Sequence, residues 1–299
     1  MPCAMIGCVG DDDFGWLNIE RLKRDGVDVG PIAVDKQAVT GSAFVTYRNN
    51  GERDFIFNIA NSASGKLNAD LFTPETLAGC GHFHVMAHRC SRSALSMPSR
   101  RPSKSLKNNG GTISFDPNVR KEMLRIPEMR DALTFVLEYT DIFLPSGPEV
   151  SLLTNERDEA GAINELLGLG IREIVVKRGA QGCSYYDREQ HIDMPAFAVE
   201  EIDPTGAGDC FGATYISSRM LGLPIDTCLQ YACASGAFAV TRRGPMEALP
   251  VSASSTPCWL LAVDLQGALP CTRFSRTSWR RAVTAWHAVF TPCARPIHG

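Results

Sequence analysis

The sequence predicts a three-layer α/β fold with a mainly parallel sheet and a small β lid. From residue 82 onward, short apolar runs alternate with longer amphipathic runs, a pattern typical of βαβ units. Before that point, two apolar runs flank Asn49-Asn50-Gly51, and an Asn-Gly pair favours a tight antiparallel hairpin. Ligands of such sheets bind at the carboxyl ends of the strands, so we expect the site there.

The elements follow in chain order. A first strand is predicted at 4–9 and a helix at 14–24, capped by Asp11–Asp13 and ended by Gly26. The hairpin strands are predicted at 43–48 and 54–59. Later strands are predicted at 83–86, 112–115, 142–144, 174–176, 183–186 and, more weakly patterned, 199–202. Helices are predicted at 120–139, 149–153, 156–167, 210–221 and 227–241.

Composition narrows the function classes. The 299 residues suffice for one large α/β domain with a small appendage, and a formal charge of −3 gives no general attraction to nucleic acid or anionic lipid. No run of 18 apolar residues and no signal-like start is present, which predicts a cytoplasmic protein without a membrane span. The 11 cysteines lack CxxC spacing, so we expect reduced thiols rather than a zinc site.

Two segments depart from this composition. Residues 88–105, where a crossover helix is expected, are rich in Arg, Ser and Pro, and residues 249–299 are basic with no sustained periodicity. Three interpretations compete: disordered basic extensions, a nucleic-acid-contacting insert, or a change of reading frame. The abrupt switch at both places favours the third. The second has the weakest support, because neither segment carries a recognisable nucleic-acid-binding module.

The strongest chemical signal is the string from Asp203 to Asp209, Asp-Pro-Thr-Gly-Ala-Gly-Asp, directly before an amphipathic helix. Small residues at 206–208 let backbone N–H groups approach an anion closely at a helix start, where the helix dipole also favours negative charge. A carboxylate beside such a site suits a base that takes a proton from a hydroxyl attacking a phosphoryl group. The alternative is a capped helix with a glycine-rich turn.

At this string the chain resembles the PfkB, or ribokinase-like, family of carbohydrate kinases. Other segments that resemble family motifs follow in family order: 7–15, Thr40-Gly41 with the hairpin, Asp116-Pro117-Asn118-Val119-Arg120, Glu149, 177–182 and Arg242-Arg243-Gly244. The resemblance covers about residues 3–87 and 106–247. It implies ATP and Mg²⁺ as cofactors and a small sugar as acceptor.

The resemblance implies roles for the helix-start string and one loop. Asp209 is expected to act as the base, and Gly206, Ala207 and Gly208 as the anion hole. The ATP phosphates and ribose are expected along the loop that begins after strand 174–176, with these positions in contact: Lys177, Gly179, Ala180, Gly182, Thr205, Gly206 and Gly208. Without the resemblance, the residues at 177–182 favour a simple glycine-containing hairpin.

Further roles follow from the same resemblance. Asn118, Arg120 and Arg53, with Asp209, are expected to contact the sugar; a helix cap with a solvated arginine is the alternative at 118–120. Glu149 is expected to place Mg²⁺ through water. The sequence departs from the family there, because Ser146 stands where Asn is usual. Asp203 and Gly244, with Thr205, resemble the monovalent-cation loop, which implies K⁺.

The resemblance also implies a domain plan. Residues 1–247 are expected to form the kinase domain, with the lid at about 40–67 and an atypical tail at 248–299. The family's first strand and Gly-Gly-x-x-x-Asn segment are expected before Cys3 and are absent, which predicts poor sugar binding. The lid favours tagatose or a related ketohexose, or a keto-sugar acid. A nucleoside kinase, an inactive remnant and a nucleic-acid-binding protein are the alternatives, and lid strands predict a homodimer.

Overall fold

A computed structural model of the protein describes residues 2–47, 53–59, 61–67, 71, 73, 76–77, 79–86, 106–107, 110–119 and 127–244. Its strands are β1 (Gly7–Gly10), β2 (Ile32–Asp35), β3 (Ser42–Tyr47), β4 (Arg53–Asn58), β5 (His82–Met86), β6 (Thr112–Asp116), β7 (Ile142–Phe143), β8 (Glu173–Lys177), β9 (Cys183–Tyr186) and β10 (His191–Met194). Its helices are α1 (Asp13–Arg24), α2 (Pro127–Leu137), α3 (Glu149–Leu152), α4 (Glu159–Gly168), α5 (Ala207–Met220) and α6 (Ile225–Ala239).

Six of these strands form one sheet in the order β10-β9-β8-β7-β6-β5. Strands β5, β6 and β7 pair in parallel, while β8, β9 and β10 pair antiparallel. Strands β1 and β2 form a parallel pair, and β3 and β4 form an antiparallel hairpin in which Tyr47 faces Arg53. The predicted α/β class, with its mainly parallel sheet and small β element, is confirmed.

The described chain divides into two units. Residues 4–22 and 28–173 form the first unit, and residues 174–244 with 2–3 and 23–27 form the second. The first is built around side chains such as Phe115 and Phe143, whose ring centroids lie 5.7 Å apart and which are fully buried. In the second, Tyr215 and Leu229 are fully buried on the packed helices α5 and α6. Burying each such side chain contributes about 2 kcal/mol.

Several predicted boundaries move for identifiable reasons. Helix α4 starts at Glu159 rather than 156, because the Asp158 side chain caps it by accepting a 2.8 Å bond from Gly161 N–H. Helix α5 starts at Ala207 rather than 210, because Gly206 takes a left-handed conformation with φ of 84°. Helix α2 starts at Pro127 within the described residues, and 120–126 lie outside them.

The strand predicted at 199–202 was wrong. Residues 199–202 form no strand: Val199 and Ile202 are exposed, and the Ile202 and Asp203 N–H groups bond to the Val240 carbonyl oxygen instead of to a neighbouring strand. The apolar residues of helix α1 are only partly buried, since Ile19 is 5% exposed while Phe14 is 71% exposed. The turn at 49–51 and the segments 88–105 and 249–299 lie outside the described residues.

A series of side-chain hydrogen bonds links strands β5 and β6. The two ring nitrogens of His82 lie 2.8 Å from Thr112 Oγ1 and 2.8 Å from Ser114 Oγ, and His84 Nδ1 lies 2.7 Å from the same serine oxygen. Burial, with the nearby His84, lowers the pKa of His82 to about 4. The His82 imidazole is therefore neutral in the folded protein at pH values where it is already protonated in the unfolded chain.

We expect acid to destabilise the protein through His82. The unfolded ring gains its proton near pH 6.5 and the folded ring only near pH 4, so stability is complete above 6.5 and falls as pH drops through this window. The loss between pH 7 and pH 5 is about 2 kcal/mol. Urea unfolding at both pH values measures it, and His82→Asn should flatten the slope. An unchanged slope in that variant would contradict this account.

Candidate active site

The start of helix α5 lies in the second unit and has the local structure that the sequence predicts for an anion site. Gly206 is the residue before the helix, and its φ of 84° favours glycine. Ala207, Gly208 and Asp209 form the first turn, whose N–H groups have no acceptor within the helix. The Ala207 N–H is already used within the chain, since it bonds to Pro204 O at 3.3 Å.

A lysine lies beside this turn. A Cβ on Gly208 would stand 3.6 Å from Lys177 Nζ. The ammonium group at the end of β8 therefore faces the small residue of the helix start. A cation beside the N-terminus of a helix favours a bound anion such as a phosphate group.

Asp209 is half-buried in the first turn of α5, one residue before Cys210. Burial, with the charge of Asp209, raises the pKa of the Cys210 thiol to about 12. The thiol is therefore protonated at neutral pH and is no candidate nucleophile. The carboxylate of Asp209 is the group of this turn that has the chemistry of a base.

The loop after β8 has the geometry of the hairpin alternative. Strands β8 and β9 pair antiparallel, with a 3-10 turn at Gly179–Gln181 and a 2.9 Å bond from Arg178 N–H to Gly182 O. Gly179 and Gly182 both have positive φ, at 57° and 96°. Ala180 is exposed at the tip of the turn. The loop is a hairpin, and it also carries Lys177 to the start of α5, so the two interpretations are compatible.

The Arg178 side chain belongs to a hydrogen-bond network that the sequence did not reveal. This network keeps it from acting, as Lys177 can, at the anion site. Its Nε donates to Ser184 Oγ at 2.8 Å, and that hydroxyl donates to Asp193 Oδ1 at 2.5 Å. His191 stacks on Tyr186 with ring centroids 4.3 Å apart and lies 3.1 Å from the same Asp193 oxygen. The network fixes the β9–β10 edge and orients the loop from its far side.

Asp203 organises the loop before α5. It is fully buried, and its Oδ1 accepts from Thr205 N–H at 3.0 Å and from the Thr205 hydroxyl at 2.6 Å. Its Oδ2 accepts from Gly244 N–H at 2.9 Å. Gly244 thus offers an N–H rather than a carbonyl oxygen to this carboxylate. A carboxylate that already accepts from these three donors is a poor K⁺ ligand. Its hydrogen bonds join the loop before α5 to the segment after α6.

Of the residues predicted for Mg²⁺ and the sugar, Glu149 and Asn118 lie in the first unit and Asp209 lies in the second. Glu149 is 8% exposed and accepts from Val119 N–H at 2.7 Å and from Ser146 N–H at 2.6 Å. Because each carboxylate oxygen already has a backbone donor, Glu149 fits a water-mediated contact to Mg²⁺ better than a direct one. Within the residues that the structure describes, no three His, Cys, Asp or Glu side chains are grouped as metal ligands.

Asn118 follows β6 and has φ of 40°, a value that is uncommon for a residue other than glycine. Its N–H donates to Asp116 Oδ1 at 3.2 Å, its amide lies 3.8 Å from Met86 Sδ, and its side chain is exposed. A strained residue at a strand's carboxyl end is typical of a ligand-binding position. Arg120 lies outside the described residues, and Arg53 begins β4 with its side chain outside them.

The structure therefore brings together Lys177 with Gly208, and Asp203 with Thr205 and Gly244. A family model described as pfkB family carbohydrate kinase matches residues 2–252. The chain belongs to this family. The predicted family is confirmed, and with it a carbohydrate kinase that uses ATP. The closeness to tagatose and 2-keto-3-deoxygluconate kinases stays a prediction.

Relatives of this pfkB-family kinase include plant and bacterial sugar kinases. Fructokinase-1 of Zea mays is 32% identical over 84% of this chain and 80% of its own length. A structure provisionally named Ribokinase II, from E. coli, is 53% identical with a TM-score of 0.80, covering 83% of this chain and 80% of that one. Its complex with ATP and Mg²⁺ is 52% identical with a TM-score of 0.77, at the same coverage.

A third solved structure, less similar in sequence, contains a sugar and a nucleotide. Fructokinase from Vibrio cholerae O395, in a double-mutant form with fructose, ADP and potassium ion bound, is 27% identical with a TM-score of 0.69. It covers 82% of this chain and 81% of its own.

None of the helices in the described ranges combines the length and apolarity needed to cross a bilayer.

Proposed function

We propose that this pfkB-family kinase transfers the γ-phosphoryl group of ATP to a hydroxyl of a ketohexose, with Asp209 as the base. The observation that carries the proposal is the meeting of Lys177 Nζ with Gly208 at the helix start whose first turn holds Asp209. Fructose is the first acceptor to test, because a relative that is 32% identical is named fructokinase. Tagatose and a keto-sugar acid remain the other predicted acceptors.

The chemistry follows from the residues of this turn. Asp209 takes the proton of the acceptor hydroxyl as its oxygen bonds to the γ-phosphorus, the bond from phosphorus to the bridging oxygen breaks, and ADP leaves. The helix start at Gly206, Ala207 and Gly208, with Lys177, stabilises negative charge on the transferred group. Mg²⁺, when bound, neutralises charge on the ATP phosphates, and Glu149 would hold it through water. Asn118, Arg120 and Arg53 are proposed to contact the sugar.

The remaining ATP positions, Gly179, Ala180, Gly182 and Thr205, are proposed from the same resemblance. A K⁺ ion at Asp203 and Gly244 has little support from their hydrogen bonds, and no step of the mechanism needs it. A cytoplasmic location is proposed, in keeping with the seven described cysteines, which are free thiols. A role in nucleic-acid binding stays the weaker alternative.

Phosphorylation of an acceptor panel tests the proposal. We expect ADP release from ATP and Mg²⁺ with fructose at a higher kcat/KM than with tagatose, 2-keto-3-deoxygluconate or ribose, and expect no release with a purine nucleoside. A preference for the nucleoside would favour the nucleoside-kinase alternative. No turnover with any acceptor, from protein that still binds ATP, would favour an inactive remnant.

The lid hairpin is proposed as a homodimer contact. Phe44 on β3 and Ile56 on β4 are cross-strand partners, yet they are 57% and 62% exposed. A directly paired apolar couple facing water is costly unless another surface covers it. We expect light scattering to give a dimer mass for the wild type and a monomer mass for Phe44→Ser/Ile56→Ser. Val39→Ser, which removes an exposed apolar residue before the hairpin, is the control.

A further inference from the structure

Strands β3 and β4 form a two-stranded sheet of their own, which pairs with no third strand among the described residues. An isolated two-stranded hairpin has little stability and no sheet to set its direction. The contacts at its two ends must therefore determine where it points. Both ends, with the residues that they contact, lie in the first unit.

The outgoing end is anchored through a 3-10 turn at Ala63–Lys66. Ala63 N–H donates to Val39 O at 2.8 Å, and the Ser64 hydroxyl donates to Cys8 O of β1 at 3.2 Å. A Cβ on Gly41 would lie 2.9 Å from Ser62 Oγ and 3.0 Å from Ser64 Oγ. The two limbs of the hairpin therefore cross closely at Gly41, and a larger residue there would separate them.

The incoming end is held by Asp12, the residue before helix α1. Its Oδ2 accepts from Thr40 N–H at 2.7 Å, and its Oδ1 accepts from the Thr40 hydroxyl at 2.7 Å. The same hydroxyl accepts from Gly10 N–H at 2.9 Å. Oδ1 also accepts from Gly15 N–H at 2.8 Å, so one carboxylate caps α1 and binds the root of the hairpin.

The glycines around this contact show how closely Thr40 is held. A Cβ on Gly10 would lie 2.6 Å from Thr40 N and 2.6 Å from Asp12 Oδ2. A Cβ on Gly15 would lie 2.9 Å from Thr40 Oγ1 and also against the Gly10 carbonyl oxygen. Both positions have to lack a side chain for Thr40 to reach the carboxylate. The spacing of Gly10, Asp12 and Gly15 therefore serves the contact with Thr40 as well as the helix.

We infer that Asp12 is a positioning residue that sets the direction of the β3–β4 hairpin by binding Thr40. The Thr40 hydroxyl, followed by the Thr40 and Gly15 N–H groups, lowers the pKa of Asp12, which keeps the acceptor charged. The hydrogen bonds are therefore charge-assisted, the stronger kind in proteins. Its effect on catalysis rests on the proposed function, in which Arg53 of this hairpin contacts the sugar.

Two substitutions separate binding of the hairpin from capping of the helix. Asp12→Ser keeps a good cap for Gly15 N–H, while its shorter side chain cannot reach Thr40. Thr40→Val keeps the shape of the side chain and the backbone N–H, and removes the hydroxyl. Asp13→Ser, at the exposed neighbouring acid in the first turn of α1, is the matched control. Thr40→Ser, which restores a hydroxyl, is the rescue variant.

Amide hydrogen exchange of the unliganded protein is the first measurement. We expect residues 42–47 and 53–58 to exchange about tenfold faster in Asp12→Ser and Thr40→Val, with α1 unchanged and with wild-type rates in Asp13→Ser and Thr40→Ser. Wild-type exchange of the hairpin in both test variants would overturn the inference. Equal acceleration of α1 and the hairpin in Asp12→Ser would also overturn it, because it would reduce Asp12 to a helix cap.

Steady-state kinetics is the second measurement. We expect both test variants to raise KM for the sugar about tenfold while KM for ATP stays within about twofold, since Asp12 and Thr40 belong to the hairpin's root. Loss of ATP affinity in step with sugar affinity would indicate general damage and count against the inference. If the wild-type protein phosphorylates no sugar, the proposed function fails, and hydrogen exchange still decides whether Asp12 positions the hairpin. Should Asp12→Ser fail to fold, Thr40→Val carries both measurements.

Discussion

Asp209→Asn is expected to lower kcat/KM for the phosphorylated sugar by about 10²–10⁴-fold, the usual contribution of a general base. Asparagine has the size of aspartate but cannot accept the hydroxyl proton. Asp209 is half-buried in the first turn of α5, and it follows Gly208, where a Cβ would lie 3.6 Å from Lys177 Nζ. Because the substitution keeps the helix and the anion contacts, KM for ATP should change little.

The measurement is ADP release in a coupled assay, with ATP affinity determined by calorimetry. Asp226→Asn is the matched control, because Asp226 is also an acid in the first turn of a helix, α6, and is exposed. We expect wild-type turnover from that variant. If Asp209→Asn retains more than about a tenth of the wild-type kcat/KM, Asp209 is not the base.

Gly182→Ala is expected to lower the free energy of unfolding by about 3 kcal/mol and to weaken ATP binding in the protein that remains folded. Gly182 has φ of 96°, which strains any residue with a Cβ. The new atom would stand 2.7 Å from both Ala196 N and Pro195 C and would press on the Met194 carbonyl oxygen. These are backbone atoms, so relief requires movement of the chain that follows β10.

Gly179→Ala provides the comparison within the same turn. Gly179 also has positive φ, at 57°, but a Cβ there would meet no described atom within 4 Å. Its expected cost is therefore the conformational term alone, about 1 kcal/mol. Urea unfolding and calorimetric titration with ATP measure both variants. Equal losses from the two substitutions would show that the close approach of residues 194–196 has no energetic role.

Local features were predictable from the sequence. Small residues before an amphipathic helix specify the turn at Gly206–Asp209, and an Asn-Gly pair between alternating runs specifies the β3–β4 hairpin. Both depend on residues that are neighbours in the chain. The strand boundaries at Cys183–Tyr186 were predicted without error for the same reason, because the flanking glycine and the aspartate mark its two ends.

Features that depend on distant partners were not predictable. Asp12 and Thr40 are 28 residues apart, and Val119 and Glu149 are 30 apart, so no local pattern joins them. Strand β10 was missed because His191–Met194 pairs with β9 alone and is mostly polar on its open side. The strand predicted at 199–202 rested on a weak pattern, and the Ile202 and Asp203 N–H groups bond to the Val240 carbonyl oxygen at the end of helix α6 instead.

The hydrogen bond from Gly244 to Asp203 spans 41 residues and has a consequence for how the protein matures. During synthesis, the carboxylate emerges from the ribosome before the amide that satisfies one of its oxygens. Both α5 and α6 lie between them, so this hydrogen bond can form only after both helices have been synthesised. A nascent chain therefore completes the loop that precedes Asp209 late, whatever the order in which its sheet is assembled.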